Sequence, residues 1–311
     1  MKVLVTGGTG FVGRVVVQSL VSAGHGVRLA LHRAAPALPL DSLLVGDLGP
    51  STDWRAALEG MDAVVHLAAR VHVMRDHAGG AEEFRRTNTE GTLQLARAAA
   101  GAGIRRFVFI STVKVNGEMT TDRPFRADDE PRPVDSYGRS KLEAELGLRR
   151  IARLEPVVIR PPLVHGPGAK GNLARFCRLA RSGWPVPLAG IRNRRDLVGV
   201  DNLSSLILRC LEHPAAAGGT FLASDGEAMS TPQLYRTIAE AMNRPARMVA
   251  VPVALMRALA RPAGMTSEID RLTQSLEIDL TPTRERLDWS PPVSAAVGIA
   301  KMAQAYDSNV S

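Results

Sequence analysis

The stretch from Met1 to Ala23 constrains the fold more than any other part of the chain. Lys2 to Thr6 is a short, apolar, β-branched run of the kind that forms a buried parallel strand. Gly7, Gly8, Gly10 and Gly13 follow directly, and Phe11, Val12, Val15, Val16, Leu20 and Val21 then recur at helical spacing. Strand, glycine turn and helix in that order predict a dinucleotide-binding unit. Glycines let the backbone turn tightly and approach a pyrophosphate, Gly13 lets helix and strand pack closely, and the helix N-terminus offers free N–H groups to the phosphates.

The rest of the first half extends this unit into a sheet. Strands are expected at Val27–Leu31, Leu43–Val45, Ala63–Leu67 and Arg106–Ser111, with a long helix at Ala81–Ala102. Strands alternating with helices at this spacing predict an α/β fold, a Rossmann-type doubly wound parallel sheet. Ligands of such sheets bind beyond the C-terminal strand ends. The second strand ends in His32-Arg33, where an NAD-selective protein usually carries a carboxylate for the ribose 2′-hydroxyl. Arginine there would bind a 2′-phosphate, so NADP is favoured over NAD. Asp47 is placed to meet an adenine edge or to cap a helix, and Ala68 and Ala69 are small enough for a cofactor to pass close by. His66 is read as a packed strand-end histidine, and Asn88 as a tie between its helix and neighbouring backbone.

Tyr137 and Lys141 stand four apart at the start of another helix, on one face. A free tyrosine is only about 0.1% ionised at pH 7. A neighbouring ammonium favours the phenolate, which would make Tyr137 a general base for a substrate hydroxyl and, in reverse, an acid. The net charge of +8 suits an anionic partner. The basic residues are scattered without interleaved aromatics, so a small anionic molecule is expected rather than nucleic acid. Cys177 and Cys210 lack metal-ligand spacing and read as buried thiols. No metal site, signal peptide or membrane span is expected, and the cytoplasm is the expected location.

The ordered set of Gly7, Gly10, Gly13, Ala68, Ala69, Asn88, Ser111-Thr112, Tyr137 and Lys141 resembles the short-chain dehydrogenase/reductase superfamily, in its extended branch of nucleotide-sugar epimerases, dehydratases and reductases. The resemblance implies a catalytic hydroxyl at Thr112, with Ser111 beside it, and places Lys141 on the nicotinamide ribose. Arg160 to Gly168 resembles the passage from cofactor to substrate region, with His165 where tyrosine is common. Asn172 and Arg195 match residues that hold the nucleotide diphosphate, and Arg271 is a candidate second arginine. Together these readings assign Gly7, Gly10, Phe11, Val12, Gly13, Arg33, Asp47, Leu48, Leu67, Ala68, Ala69, Ser111, Tyr137, Lys141 and Pro161 to the cofactor. They assign Thr112, Lys114, Asn116, Tyr137, Asn172, Arg195 and Arg271 to the substrate.

The Ser111–Glu118 stretch, with Lys114 and Asn116, resembles a bacterial subgroup linked to surface-polysaccharide synthesis. That resemblance implies hydride transfer at C4 of a UDP-linked sugar, in the first instance as a 4-keto-6-deoxy-N-acetylhexosamine 4-reductase. The alternatives are a UDP-glucose or UDP-N-acetylglucosamine 4-epimerase with tightly bound NAD and, in another class, a non-catalytic NADP-binding sensor. A homodimer is the family's usual assembly. Residues 1–167 are expected to form the cofactor domain and 168–311 the sugar domain, interleaved around 200–245. In the second half, helices are expected at Asn172–Ser182, Asn202–His213, Thr231–Met242 (capped by Ser230) and Val253–Ala260. Strands are expected at Thr220–Ala223 and Arg247–Val251, with two closing segments at Thr283–Trp289 and Val293–Tyr306.

Overall fold

β1 (Lys2–Thr6) lies inside a seven-stranded, all-parallel sheet and is buried from Val3 onward, because helices cover both of its faces. The structure is a computed structural model that describes residues 1–33, 40–71, 80–262 and 264–308. α1 (Phe11–Ser22) leads to β2 (Gly26–Leu31), β3 (Asp41–Leu44), the short α2 (Arg55–Leu58) and β4 (Ala63–His66). Next come α3 (Gly80–Phe84), a π-helical segment at Arg85–Gly91, α4 (Thr92–Gly101) and β5 (Arg106–Ile110). α5 (Ser136–Leu148) and β6 (Glu155–Arg160) complete the first half. The expected helix at 81–102 is therefore one run with a π-helical centre. Asn88 sits in that centre, exchanges hydrogen bonds with the main chain of Arg70 and donates to Ser140 Oγ of α5.

The strand order is β3-β2-β1-β4-β5-β6, closed by β9 (Thr220–Leu222). The order reverses between β1 and β4, which places the ligand crevice beyond their C-terminal ends. Alternation along the strands feeds two cores. Val3, Val5, Val65 and Val108 face one side and pack with α1 and with α7 (Val200–Glu212). Leu4, Val64, Phe107 and Phe109 face the other side, with Leu95 of α4 and Ala144 and Leu148 of α5.

The second half adds β7 (Leu163–His165) and β8 (Leu197–Gly199), which pair in parallel as a small sheet, with α6 (Asn172–Ser182) between them. α8 (Thr231–Ala241), α9 (Val253–Ala260), α10 (Thr266–Thr273), α11 (Thr281–Leu287) and α12 (Ala295–Ser308) finish the chain. α6, α8 and α12 share a third core around Leu173, Phe176, Tyr235, Ile238, Ile299 and Met302. Two elements of this half join the first: β9 extends the large sheet, and α7 packs on α1.

The expected strand at Arg247–Val251 is not formed. That segment meets the chain near Val186 only through an isolated bridge at Val186–Met248 and single backbone hydrogen bonds. Its apolar run serves the helical core instead, with Met248 and Val251 packed against it. α10, by contrast, had no expectation from the sequence. Cys177 and Cys210 are free and buried, and burial pushes the Cys177 thiol up to about 11. Among the described residues no helix is long and apolar enough to cross a membrane.

Candidate active site

The glycine turn packs so closely on its own backbone and on the exit of β4 that side chains would collide there, leaving a cradle of bare backbone. Gly7 has φ +71°, and a Cβ there would stand 2.8 Å from Ala68 N. At Gly13 it would stand 2.1 Å from Gly7 O. Gly10 caps α1 without any side-chain hydrogen bond, and the first turn holds no acidic residue. Phe11 and Val12 are half-buried in that turn, and Leu67, Ala68 and Ala69 are half-buried where the chain leaves β4. An anionic pyrophosphate fits this cradle, because free N–H groups and a helix N-terminus face a wall without side chains.

The rim of the cradle is set by β2. Arg33 follows it and is exposed. His32 binds the carboxylate of exposed Asp47, so an acidic group stands at the β2 exit after all, brought there from the turn after β3. Leu48 beside it is half-buried and packs against the core on the α4 face. His66 is fully buried, with Nδ1 on Thr6 Oγ1 (2.7 Å) and Nε2 on Thr92 Oγ1 (2.9 Å). Burial, and then the charge of Lys141, push its pKa down to about 3. It is a neutral packing residue, as its sequence context suggests.

Opposite the cradle, the chain leaving β5 carries Ser111 and Thr112, both buried. Thr112 Oγ1 accepts from Lys114 N at 3.3 Å. Val113 N donates to Pro161 O at 2.9 Å, which draws this loop against the exit of β6. On α5, Asp135 is the N-cap and accepts from Gly138 N at 2.7 Å. Tyr137 is half-buried, edge-on to Phe84 with ring centroids 6.0 Å apart. Lys141 is buried, donates from Nζ to Ile110 O (2.8 Å) and lies 4.5 Å over the Phe109 ring.

The protonation pattern differs from the simple expectation for a tyrosine–lysine pair. Burial, with the Asp135 carboxylate second, pushes the Tyr137 phenol up rather than down. Burial pushes Lys141 down to about 7, against a smaller opposing pull from Glu145. The helical spacing correctly places both residues on one face. It does not register the cost of burying an ammonium, nor the hydrogen bond that turns the ammonium towards Ile110.

A second cluster lies beside this one. Lys114 Nζ bridges Asp135 (2.6 Å) and Glu118 (2.9 Å). Arg195 feels the charge of Glu118, and Asp135 that of exposed Arg271, which brings Lys114, Arg195 and Arg271 into one electrostatic neighbourhood. Arg195 is half-buried, donates from Nη1 to Gln274 O (3.0 Å), and is lowered in pKa by burial. Its neighbour Arg194 is exposed and paired with Glu277. Asn172 is exposed at the start of α6; Arg175, further along, interacts with Glu268 of α10. Asn116 is buried with its amide engaged inside the chain: Nδ2 donates to Arg126 O and Oδ1 accepts from Arg160 Nη1. His165 is likewise buried, held at 2.6 Å by Asp225. The sequence assigns Glu145 no role and Arg160 only a place at the head of the Arg160–Gly168 stretch, whereas in the structure the two form a buried ion pair. The available signal was a carboxylate four residues after Lys141, on the same helix face.

The glycine turn after β1 and the Ser111–Thr112 turn after β5 both lie at the C-terminal ends of neighbouring parts of one parallel sheet, an arrangement of the short-chain dehydrogenase/reductase class. Residues 3–223 match the NAD dependent epimerase/dehydratase family, and the chain belongs to it. It is an NAD(P)-dependent enzyme of that family. A UDP-glucose 4-epimerase of Vibrio cholerae is 42% identical over 314 residues, covering 98% of this chain and 95% of the relative. Among solved structures, a UDP-N-acetylglucosamine 4-epimerase from Bacillus cereus superposes with a TM-score of 0.81 at 24% identity, over 99% of both chains. The Bordetella bronchiseptica enzyme WbmG, in complex with NAD and UDP, superposes with a TM-score of 0.76 at 22% identity, over 99% of this chain and 95% of that one. At those identities the two structures speak for the fold.

Proposed function

We propose that this enzyme moves hydride at C4 of a UDP-linked sugar and that its net reaction is 4-epimerisation. The observation that supports the reading most is 42% identity to a UDP-glucose 4-epimerase over nearly the whole length, in a chain that carries Thr112 after β5, Tyr137 and Lys141 one turn apart on α5, and the glycine turn after β1. When bound, the nicotinamide supplies reversible hydride transfer. The chain's own residues do the rest. Tyr137 takes the proton from the substrate hydroxyl and gives it back, and Thr112 hydrogen-bonds the same oxygen. Lys141, one helical turn from Tyr137, supplies in its protonated form the positive charge that a phenolate requires. Arg195 offers a planar fork for the diphosphate, with Asn172 and Arg271 as further contacts. The cradle from Gly7 to Gly13 holds the pyrophosphate.

Arg33 favours a second reading. An exposed arginine after β2 suits the 2′-phosphate of NADPH, a cofactor consumed by reductases. One experiment separates the two. The purified protein is incubated with UDP-glucose and UDP-N-acetylglucosamine without added cofactor, and the sugars are followed by NMR. Interconversion to the 4-epimers supports epimerisation. No interconversion, together with stoichiometric loss of NADPH absorbance on a UDP-4-keto-6-deoxy-N-acetylhexosamine, replaces it with the 4-reductase. Failure of both overturns hydride transfer at C4.

A further inference from the structure

Glu145 and Arg160 touch neither the cradle nor the diphosphate cluster, yet they join every element that carries a catalytic side chain. Glu145 lies one helical turn beyond Lys141 and two beyond Tyr137 on α5. Its Oε1 accepts from Ser111 Oγ (2.5 Å) and Arg160 Nε (3.0 Å), and its Oε2 accepts from Arg160 Nη2 (2.6 Å). Arg160, the last residue of β6, donates from Nη1 to Asn116 Oδ1 (3.0 Å) and Ala127 O (3.4 Å). Asn116 passes the link on to Arg126 O (2.7 Å). The side chains of the pair are only 4% and 2% exposed.

A buried ion pair is a poor stabilising device, because desolvation offsets most of the attraction, and apolar replacements often do as well. What this pair supplies is direction. The bidentate fork fixes the rotamers of both partners, and each partner makes a further hydrogen bond to the loop from Ser111 to Asn116, with Arg160 reaching Ala127 O as well. Thr112 sits inside that loop, and Tyr137 rides on the helix that holds Glu145. Three further groups complete the surroundings. Lys141 of α5 feels the Glu145 charge, His66 of β4 is neutral beside Lys141, and the Phe109 ring of β5 lies under the ammonium.

We propose that the Glu145–Arg160 pair positions the reacting groups, locking the Ser111–Asn116 loop to α5 so that the Thr112 and Tyr137 hydroxyls address one substrate oxygen. This rests on the hydride-transfer reading for its consequence in turnover, but not for its consequence in loop order. Without the pair the loop keeps its backbone ties, Ser111 N to Ile159 O and Val113 N to Pro161 O. The fold is therefore retained while the side-chain register is lost.

The test is the double variant Glu145→Gln/Arg160→Gln, which removes both charges together and leaves no lone buried ion. Arg160→Lys is its milder companion, keeping the charge but not the fork. Hydrogen exchange at the amides of residues 112–117 is compared with exchange at β1 and α1. We expect exchange in the loop to rise by about tenfold while the cradle is unchanged. Turnover should fall about a hundred-fold with KM and nucleotide affinity little altered. A folded double variant with loop exchange and kcat of the parent enzyme overturns the proposal. If that variant does not fold, unchanged loop exchange in Arg160→Lys does so. If the parent itself turns over no UDP-sugar, the proposed function fails, while the exchange result still decides the positioning role.

Discussion

The glycine turn after β1 is built from bare backbone, whereas the exit of β5 and α5 are built from paired side chains. The cradle is shaped by what is absent: a methyl group at Gly13 would meet Gly7 O at 2.1 Å. The opposite wall is shaped by what is paired, with Lys141 on Ile110 O, Lys114 on Asp135, and Glu145 on both Ser111 and Arg160. The first should fail by steric exclusion and the second by loss of charge and register. That difference shows why one enzyme needs two kinds of test.

The largest effect is expected at the side-chain wall. Tyr137→Phe should lower turnover about a thousand-fold while nucleotide affinity stays as it is, measured by steady-state kinetics and fluorescence titration. Loss of nucleotide binding alongside turnover would erase the proposed division of labour. Next comes the cradle. Gly13→Val should abolish nucleotide binding and cost about 3 kcal/mol of stability by overpacking, read from titration and denaturant unfolding. A variant that binds nucleotide normally would mean the close approach at this turn is dispensable.

His66 stands at the seam between the two walls and tests it by pH. Its folded pKa of about 3 lies below an unfolded value of about 6.5. The unfolded chain therefore binds the proton first. Stability should be unaffected by this group above pH 6.5 and should fall by about 1.4 kcal/mol per pH unit as pH drops from there towards 3. His66→Gln should flatten that part of the decline in urea midpoints measured at pH 7, 5.5 and 4.5. An equally steep decline in the variant would assign it elsewhere.

Two smaller effects sharpen the picture. Arg33→Ala should shift the NADP-to-NAD affinity ratio about tenfold towards NAD, a loss of about 1.4 kcal/mol, measured by paired titrations. An unchanged ratio removes Arg33 from cofactor choice and leaves the rim to His32 and Asp47. Ser230 and Gln233 form a reciprocal capping box at the start of α8. Ser230→Ala should cost about 1 kcal/mol with no change in cofactor affinity, because that helix belongs to the core away from the cradle.

The cradle was legible because its physics is local. Glycine at Gly7, Gly10 and Gly13 says where no Cβ is tolerated, and the flanking periodicities say strand and helix. α6 and α9 were legible for the same reason, with apolar positions that repeat at helical spacing over one uninterrupted run. The segment around Arg247–Val251 was not, because a short continuous apolar run does not show whether a partner edge is continuous or a single bridge. The charged groups of the catalytic wall were partly legible. Tyr137 and Lys141 announced themselves by spacing, whereas the raised phenol and lowered ammonium depend on how deeply each is buried.

By itself, then, the sequence determined the parallel sheet, the glycine cradle at the head of β1, the helix face shared by Tyr137 and Lys141, and membership of a nucleotide-dependent enzyme family. Each follows from short-range patterns that the backbone must obey. Only the tertiary structure decided that Asp47 reaches His32, that Asn116 is spent inside the chain, and that Glu145 and Arg160 bind the loop to the catalytic helix. Those pairings join residues 10 to 44 positions apart in the chain. Burial fixes both their geometry and their charge, and burial is a property of the packed molecule that no local run of residues carries.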